Sequence, residues 1–233
     1  MLTPSSNTVL EPVCAEMLRE LPDVSAHFSR FRVTEISLQD AALGQFRLAP
    51  MLEAASLLAD AHVRTICWNG TSAAWLGFEQ DRILSAEIAR HTGVPATSSV
   101  LALADIFRLS GVERYGLVSP YLDDVQARIV ETFRRGGFEC VAERHSGIRD
   151  NFSFSEVTAE DLARMVREVA AAGPQAISIL CTNLAGAPLV PELEQELGIP
   201  IYDSIATALW GSMRLAGLSP RLLARWGRLF REL

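Results

Sequence analysis

The sequence predicts an α/β fold of two similar lobes, each a mainly parallel sheet flanked by helices, with a cleft between them. Three observations carry that expectation. Helical and extended signals alternate from end to end, one segment pattern occurs twice about 110 residues apart, and 49% of the 233 residues are hydrophobic, enough for a sizeable core.

The helix-like segments have apolar residues three and four apart: "LAPMLEAASLLADA" (48–61), "ILSAEIARHTG" (83–93), "SVLALADIFRLSG" (99–111), "DVQARIVETFRRGG" (124–137) and "TAEDLARMVREVAAAG" (158–173). In the last, Thr158 with Asp161 three positions on approximates a capping box, and Gly173 marks the end. Between the helices lie β-rich runs, "RTICW" (64–68), "RYGLVS" (114–119), "FECVAE" (138–143) and "AISILC" (176–181). Short strands alternating with helices imply βα units, and ligands of such sheets bind beyond the carboxyl ends of the strands.

The repeat pairs "HTGVPATSSVLALADIFRLSG" (91–111) with "ELGIPIYDSIATALWGSMRLAG" (196–217), "TICWNGTSA" with "SILCTNLAG", and "LTPSSNTVLEPV" (2–13) with "LVSPYLDDVQ" (117–126). A period this long means two lobes rather than a solenoid. We divide the chain into lobe one, residues 1–105 plus the C-terminal helical part from about 203 to 233, and lobe two, 106–202. The cleft would be lined by Thr3–Thr8, Gly70–Ser72, Ser119–Tyr121 and Cys181–Asn183, with Cys181 in one lobe matching Gly70 in the other.

The formal charge of −7 argues against nucleic acid or an acidic membrane surface as a partner. The Arg-rich tail, Arg221, Arg225, Arg228 and Arg231, reads as a solvated helix face. No run approaches the ~18 apolar residues of a membrane span, and a soluble cytoplasmic protein is expected. Four scattered cysteines form no CxxC pair and no zinc-type spacing, so neither a disulfide scaffold nor a metal site is indicated.

Cys181 at a buried strand end could act as acid, base or nucleophile, its thiol open to deprotonation by nearby N–H dipoles; a small core residue is the plainer reading. Gly70, Thr71 and Ser72 offer close backbone approach, N–H groups and two hydroxyls, a set suited to a carboxylate or oxyanion, while a helix cap explains Thr71 or Ser72 equally. The stretch is neither a P-loop nor a dinucleotide fingerprint. Asn7 in "PSSNT", Tyr121 after Pro120 and Asn151 in "IRDNFSF" are further polar candidates, though turn chemistry accounts for "SSNT" as well. Cys67 falls inside a strand and reads as core. No histidine stands at a strand end, which leaves a Ser-His-Asp triad without a base.

The motifs "PSSNTVLE" (4–11), "GTS" (70–72), "SPYLDDV" (119–125), "CTN" (181–183), "DSIATALWGSMRLAG" (203–217) and "GRLF" (227–230) resemble the aspartate/glutamate racemase superfamily, in the branch of maleate cis-trans isomerase and arylmalonate decarboxylase. The resemblance implies the two-lobed fold and cofactor-independent chemistry at the carbon beside a carboxylate. Racemases of the superfamily place one cysteine per lobe; the isomerase adds its first cysteine to the double bond and protonates with the second. Here the first position is Gly70, as in the decarboxylase, where a single cysteine protonates the enediolate left after CO₂ departs. By that resemblance Cys181 is the proton donor, and Asn7, Gly70, Thr71, Ser72, Tyr121, Asn151, Thr182 and Asn183 bind a small carboxylate or dicarboxylate. The implied activity is decarboxylation of substituted malonates, with isomerase, racemase or non-catalytic dicarboxylate binding as alternatives and a homo-oligomer left open. Superfamily members have a longer apolar strand before "PSSNT"; here only Met1-Leu2-Thr3 precede it, so either the first strand is very short or the start is displaced.

Overall fold

The computed structural model describes residues 1–39 and 44–233. Two four-stranded sheets form its frame, and every pairing between neighbouring strands is parallel. The first takes β1 (Leu2–Pro4), β2 (Ser29–Phe31), β3 (Ile66–Trp68) and β4 (Ala96–Ser98) in the order β2-β1-β3-β4. The second takes β5 (Arg114–Ser119), β6 (Glu139–His145), β7 (Ala176–Ile179) and β8 (Ile201–Asp203) in the order β6-β5-β7-β8. The same winding in both halves bears out the two-lobed reading. Strand order reverses between β1 and β3 and again between β5 and β7, and a crevice opens at such switch points.

The helices are α1 (Leu10–Leu18), α2 (Leu48–Ala59), α3 (Ala73–Leu76), α4 (Phe78–Thr92), α5 (Ser99–Leu109), α6 (Asp123–Arg135), α7 (Ala159–Ala170), α8 (Val190–Leu197), α9 (Ser204–Leu215) and α10 (Arg228–Glu232). In α7 the Asp161 N–H donates to Thr158 Oγ1 at 3.1 Å, while Leu162, Met165, Val166 and Val169 turn inward; the cap and the stripe are those the sequence announces. Two helices join the lobes. α5 and α9 pack against each other, and a Cβ on Gly211 would stand 2.9 Å from that of Ala102, so glycine permits their close approach. α9 also lies against β3 and β4, although it directly follows β8 of the second sheet.

Several boundaries differ from the sequence reading. α4 begins at Phe78 rather than Ile83: Phe78 is the buried anchor, its ring 5.1 Å from Phe133, whereas Ile83 points to solvent. β2, only "SRF", has no apolar signature and goes unread in the sequence; pairing with β1 alone makes it a strand. The first strand is short, Leu2–Pro4, and Leu2 pairs with both Ser29 and Trp68. β7 ends at Ile179, so Cys181 sits on the loop just beyond the strand.

Candidate active site

All four switch-point strands deliver their candidate residues to one place. Asn7 follows β1, Gly70–Ser72 follow β3, Tyr121 follows β5 and Cys181–Asn183 follow β7. Gly70, Thr71, Ser72, Tyr121, Asn151, Cys181 and Thr182 line one narrow cavity. Asn7 and Asn183 are not in its lining.

The two lobes are bonded across the cleft by reciprocal pairs. From lobe two, the Tyr121 hydroxyl meets Thr71 Oγ1. From lobe one, Asn7 Nδ2 donates to Thr182 O and Oγ1, both at 3.1 Å, and the Thr182 hydroxyl donates to Asn69 O at 2.7 Å. The other end of Asn7 accepts the N–H groups of Val9 and Leu10 and so starts α1 through an Asx turn. Asn183 is committed likewise: Oδ1 accepts from Thr8 and Val9 N–H, and Nδ2 donates to Asn151 O at 2.6 Å. Asn151 in turn donates to Ser6 Oγ at 2.7 Å and, through its own N–H, to Thr34 O. The side-chain amides of Asn7 and Asn183, read in the sequence as ligand contacts, are thus engaged within the protein, while Asn151 bonds to Ser6 and still lines the cavity.

Around Gly70 the picture is different. The backbone N–H groups of Gly70, Thr71 and Ser72 have no acceptor among the described residues, and neither do those of Cys181 and Thr182. Amides with no internal partner, beside the hydroxyls of Thr71, Ser72 and Tyr121, are donors of the kind that suits a carboxylate or oxyanion.

Cys181 is 3% exposed, and its Sγ accepts the Asn183 N–H at 3.3 Å. Burial pushes the thiol up to about 12, outweighing the Asn183 and Leu184 N–H groups and the Tyr121 hydroxyl, while nearby Asp203 adds to the upward shift. The sequence reading allowed a deprotonated thiol; burial instead favours the protonated form of Cys181. Tyr121, its phenol also pushed well up by burial, stays a neutral donor. Cys67 faces elsewhere: it lines a separate cavity of about 660 Å³ with Met1, Arg64 and Ser212. Among the described residues, no cluster of three or more His, Cys, Asp or Glu could hold a metal, and no helix is long and apolar enough to cross a membrane.

The remaining lining is apolar: Pro4, Val33, Ile36, Phe46, Trp68 and Trp75. Apart from Pro4, which falls in the stretch Thr3–Thr8, none of these was singled out in the sequence. For Trp68 a signal existed, since strand alternation puts side chains 68 and 70 on one side, a large one beside none.

The fold and this cleft define a class: two-lobed α/β proteins of paired parallel sheets whose strand tips meet in one buried cleft. A Nocardia farcinica maleate cis-trans isomerase mutant, solved with a covalently bound succinylcysteine intermediate, superposes with a TM-score of 0.90 at 23% identity, covering 100% of this chain and 97% of the other. An arylmalonate decarboxylase double mutant that exchanges a glycine for cysteine and a cysteine for serine superposes at 0.85, again 23% identical over 100% and 97%. In sequence, Bordetella bronchiseptica arylmalonate decarboxylase is 29% identical over 166 residues, 70% of this chain and 69% of the relative. The arylmalonate decarboxylase family model matches residues 19–230, and the chain belongs to that family.

Proposed function

We propose that the protein decarboxylates α-substituted malonates, with Cys181 as the proton donor. The observation that carries this is the asymmetry of the cleft. One strand end presents a thiol that burial keeps protonated, and the matching strand end presents glycine. An acid on one side and no second thiol on the other suits a reaction that needs one proton delivered once.

One malonate carboxylate would lie in the cradle of Gly70, Thr71 and Ser72 N–H groups and the Thr71, Ser72 and Tyr121 hydroxyls. The other would face the apolar side formed by Pro4, Val33, Ile36 and Phe46, where a carboxylate is poorly solvated and neutral CO₂ is not. When the C–C bond breaks, its electron pair passes into the retained carboxylate to give an enediolate. The charge then grows on oxygens already met by donors, each worth a few kcal/mol. The Cys181 S–H protonates the carbon, and water reprotonates the thiolate. Burial helps here as well, since a thiol with its pKa near 12 is stable until a strong base such as an enediolate forms beside it.

The test is NMR in D₂O with substituted malonates, maleate, aspartate and glutamate. Loss of CO₂ with one deuterium placed on the α-carbon supports the proposal. Conversion of maleate to fumarate, or α-exchange of the amino acids without CO₂ loss, would replace it with the isomerase or racemase reading, and no turnover of any compound would leave a binding protein.

A further inference from the structure

The side of the cleft at Gly70 is filled rather than open. Atoms Cζ2, Cε2 and Cη2 of Trp68 lie 2.0 to 2.5 Å from the point where a Cβ on residue 70 would stand. The indole is well held: 1% exposed, it lies 5.1 Å from the ring of Phe31 and 6.5 Å from that of Phe46, and its Nε1–H donates to Ser72 Oγ at 3.4 Å. With the ring in place the cavity keeps about 20 Å³, room for one water. Any substrate must therefore shift side chains. Phe46 is only partly buried and can give, whereas Trp68 is pinned from both sides.

We propose that Trp68 determines the specificity of this cleft: its indole is the wall opposite Cys181, it restricts the α-substituent of the malonate to a small group, and it closes that face to any second proton donor. The inference rests on the malonate reading and deepens it. With both carboxylates placed, the substituent is the group left to meet the indole. Close-packed interiors resist even one added methylene, and such steric differences separate substrates by about 10–200-fold. The small residue at position 70 is thus only half of the device, since adding a thiol there would drive it into an occupied ring.

The experiment compares α-methylmalonate with α-phenylmalonate in wild type, Trp68→Phe and Trp68→Ala, reading kcat/KM by CO₂ release. The same pair is titrated calorimetrically against each protein carrying Cys181→Ala in addition. The phenyl-to-methyl ratio should rise about tenfold in Trp68→Ala, with Trp68→Phe in between. Circular dichroism and melting check folding, and if Trp68→Ala does not fold, Trp68→Phe decides. A ratio unchanged within twofold in a folded variant overturns the proposal. If no malonate is turned over but the binding ratio shifts as stated, the decarboxylase reading falls while the role of Trp68 stands; CO₂ release with an unmoved ratio gives the reverse. A second arm follows α-hydrogen exchange of 2-phenylpropionate in D₂O. Gly70→Cys with Cys181→Ser should stay inactive, and adding Trp68→Ala should create exchange; equal exchange without the tryptophan change overturns the sealing role.

Discussion

The two lobes share a frame and differ at their strand tips. Each has the strand order outer, first, third, fourth, and each sends one residue across the cleft to a threonine of the other: Asn7 to Thr182, and Tyr121 to Thr71. Yet Asn7 is an amide with every polar group engaged, whereas Tyr121 is a phenol that meets Thr71, lines the cavity and acts on the Cys181 thiol. One crossing is a fastener and the other, in the proposed reaction, takes part in the chemistry. The duplicated frame sets where strand tips stand, and the unlike residues on those tips decide what happens there.

Four predictions press on that difference. The largest concerns the tips themselves: Cys181→Ala should lower malonate turnover by about 10²–10⁴-fold, while Cys67→Ala, in the other cavity, keeps wild-type kcat. Equal turnover in wild type and Cys181→Ala would remove the asymmetry argument. Next come the two crossings. Tyr121→Phe and Thr71→Val should each cost about 10²–10³-fold in kcat with modest change in melting, because they strip donors from a charge that develops only in the transition state. Asn7→Ala should do the reverse, losing about 1–3 kcal/mol of stability in urea titration by leaving the Leu10 N–H and the Thr182 carbonyl without their partner. A catalytic loss in Asn7→Ala larger than that in Tyr121→Phe would erase the distinction between fastener and donor.

The smallest effect is a dependence on pH. Asp81 and Asp203 are fully buried, and burial lifts both carboxyls to about 7 from 3.8. The folded state therefore holds protons that the unfolded chain has released, so the stability these groups contribute is present below about pH 4 and is lost as pH rises toward 7. Melting temperatures of Asp81→Asn and Asp203→Asn measured from pH 4 to 7 should fall less steeply than wild type, and parallel curves would contradict the shifts. For Asp203 the substitution keeps a side-chain oxygen for the Ile205 and Ala206 N–H groups, so the cap on α9 survives.

Much of this was legible in the sequence because duplication doubles weak signals. "CTN" and "NGTS" say little singly, but their correspondence sets Gly70 against Cys181, and the structure puts both in one cavity. The capped helix at Thr158 and the strand at 114–119 were legible from local chemistry alone. What stayed hidden depends on contacts between distant segments. The engaged state of Asn7 and Asn183 exists only once Thr182, Thr8 and Asn151 are beside them. The protonated thiol follows from burial, which no residue type encodes. Nothing local in the sequence marks Trp68 beyond its alternation with Gly70, and only the fold brings its ring into the space beside that glycine.

The helix α9 completes the duplicated frame in an unsymmetrical way. It leaves the second sheet at Asp203 and covers the first, with Thr207 Oγ1 donating to Ser99 O across 108 positions of sequence. During synthesis, then, α5 and the first sheet wait for the chain to grow past residue 207, on the order of 5–20 s at ordinary ribosomal rates. Through that interval the apolar face α9 will cover has nothing of its own chain upon it. The first sheet is thus covered by a helix from the far end of the chain, and a break in the last thirty residues would be felt in the first hundred.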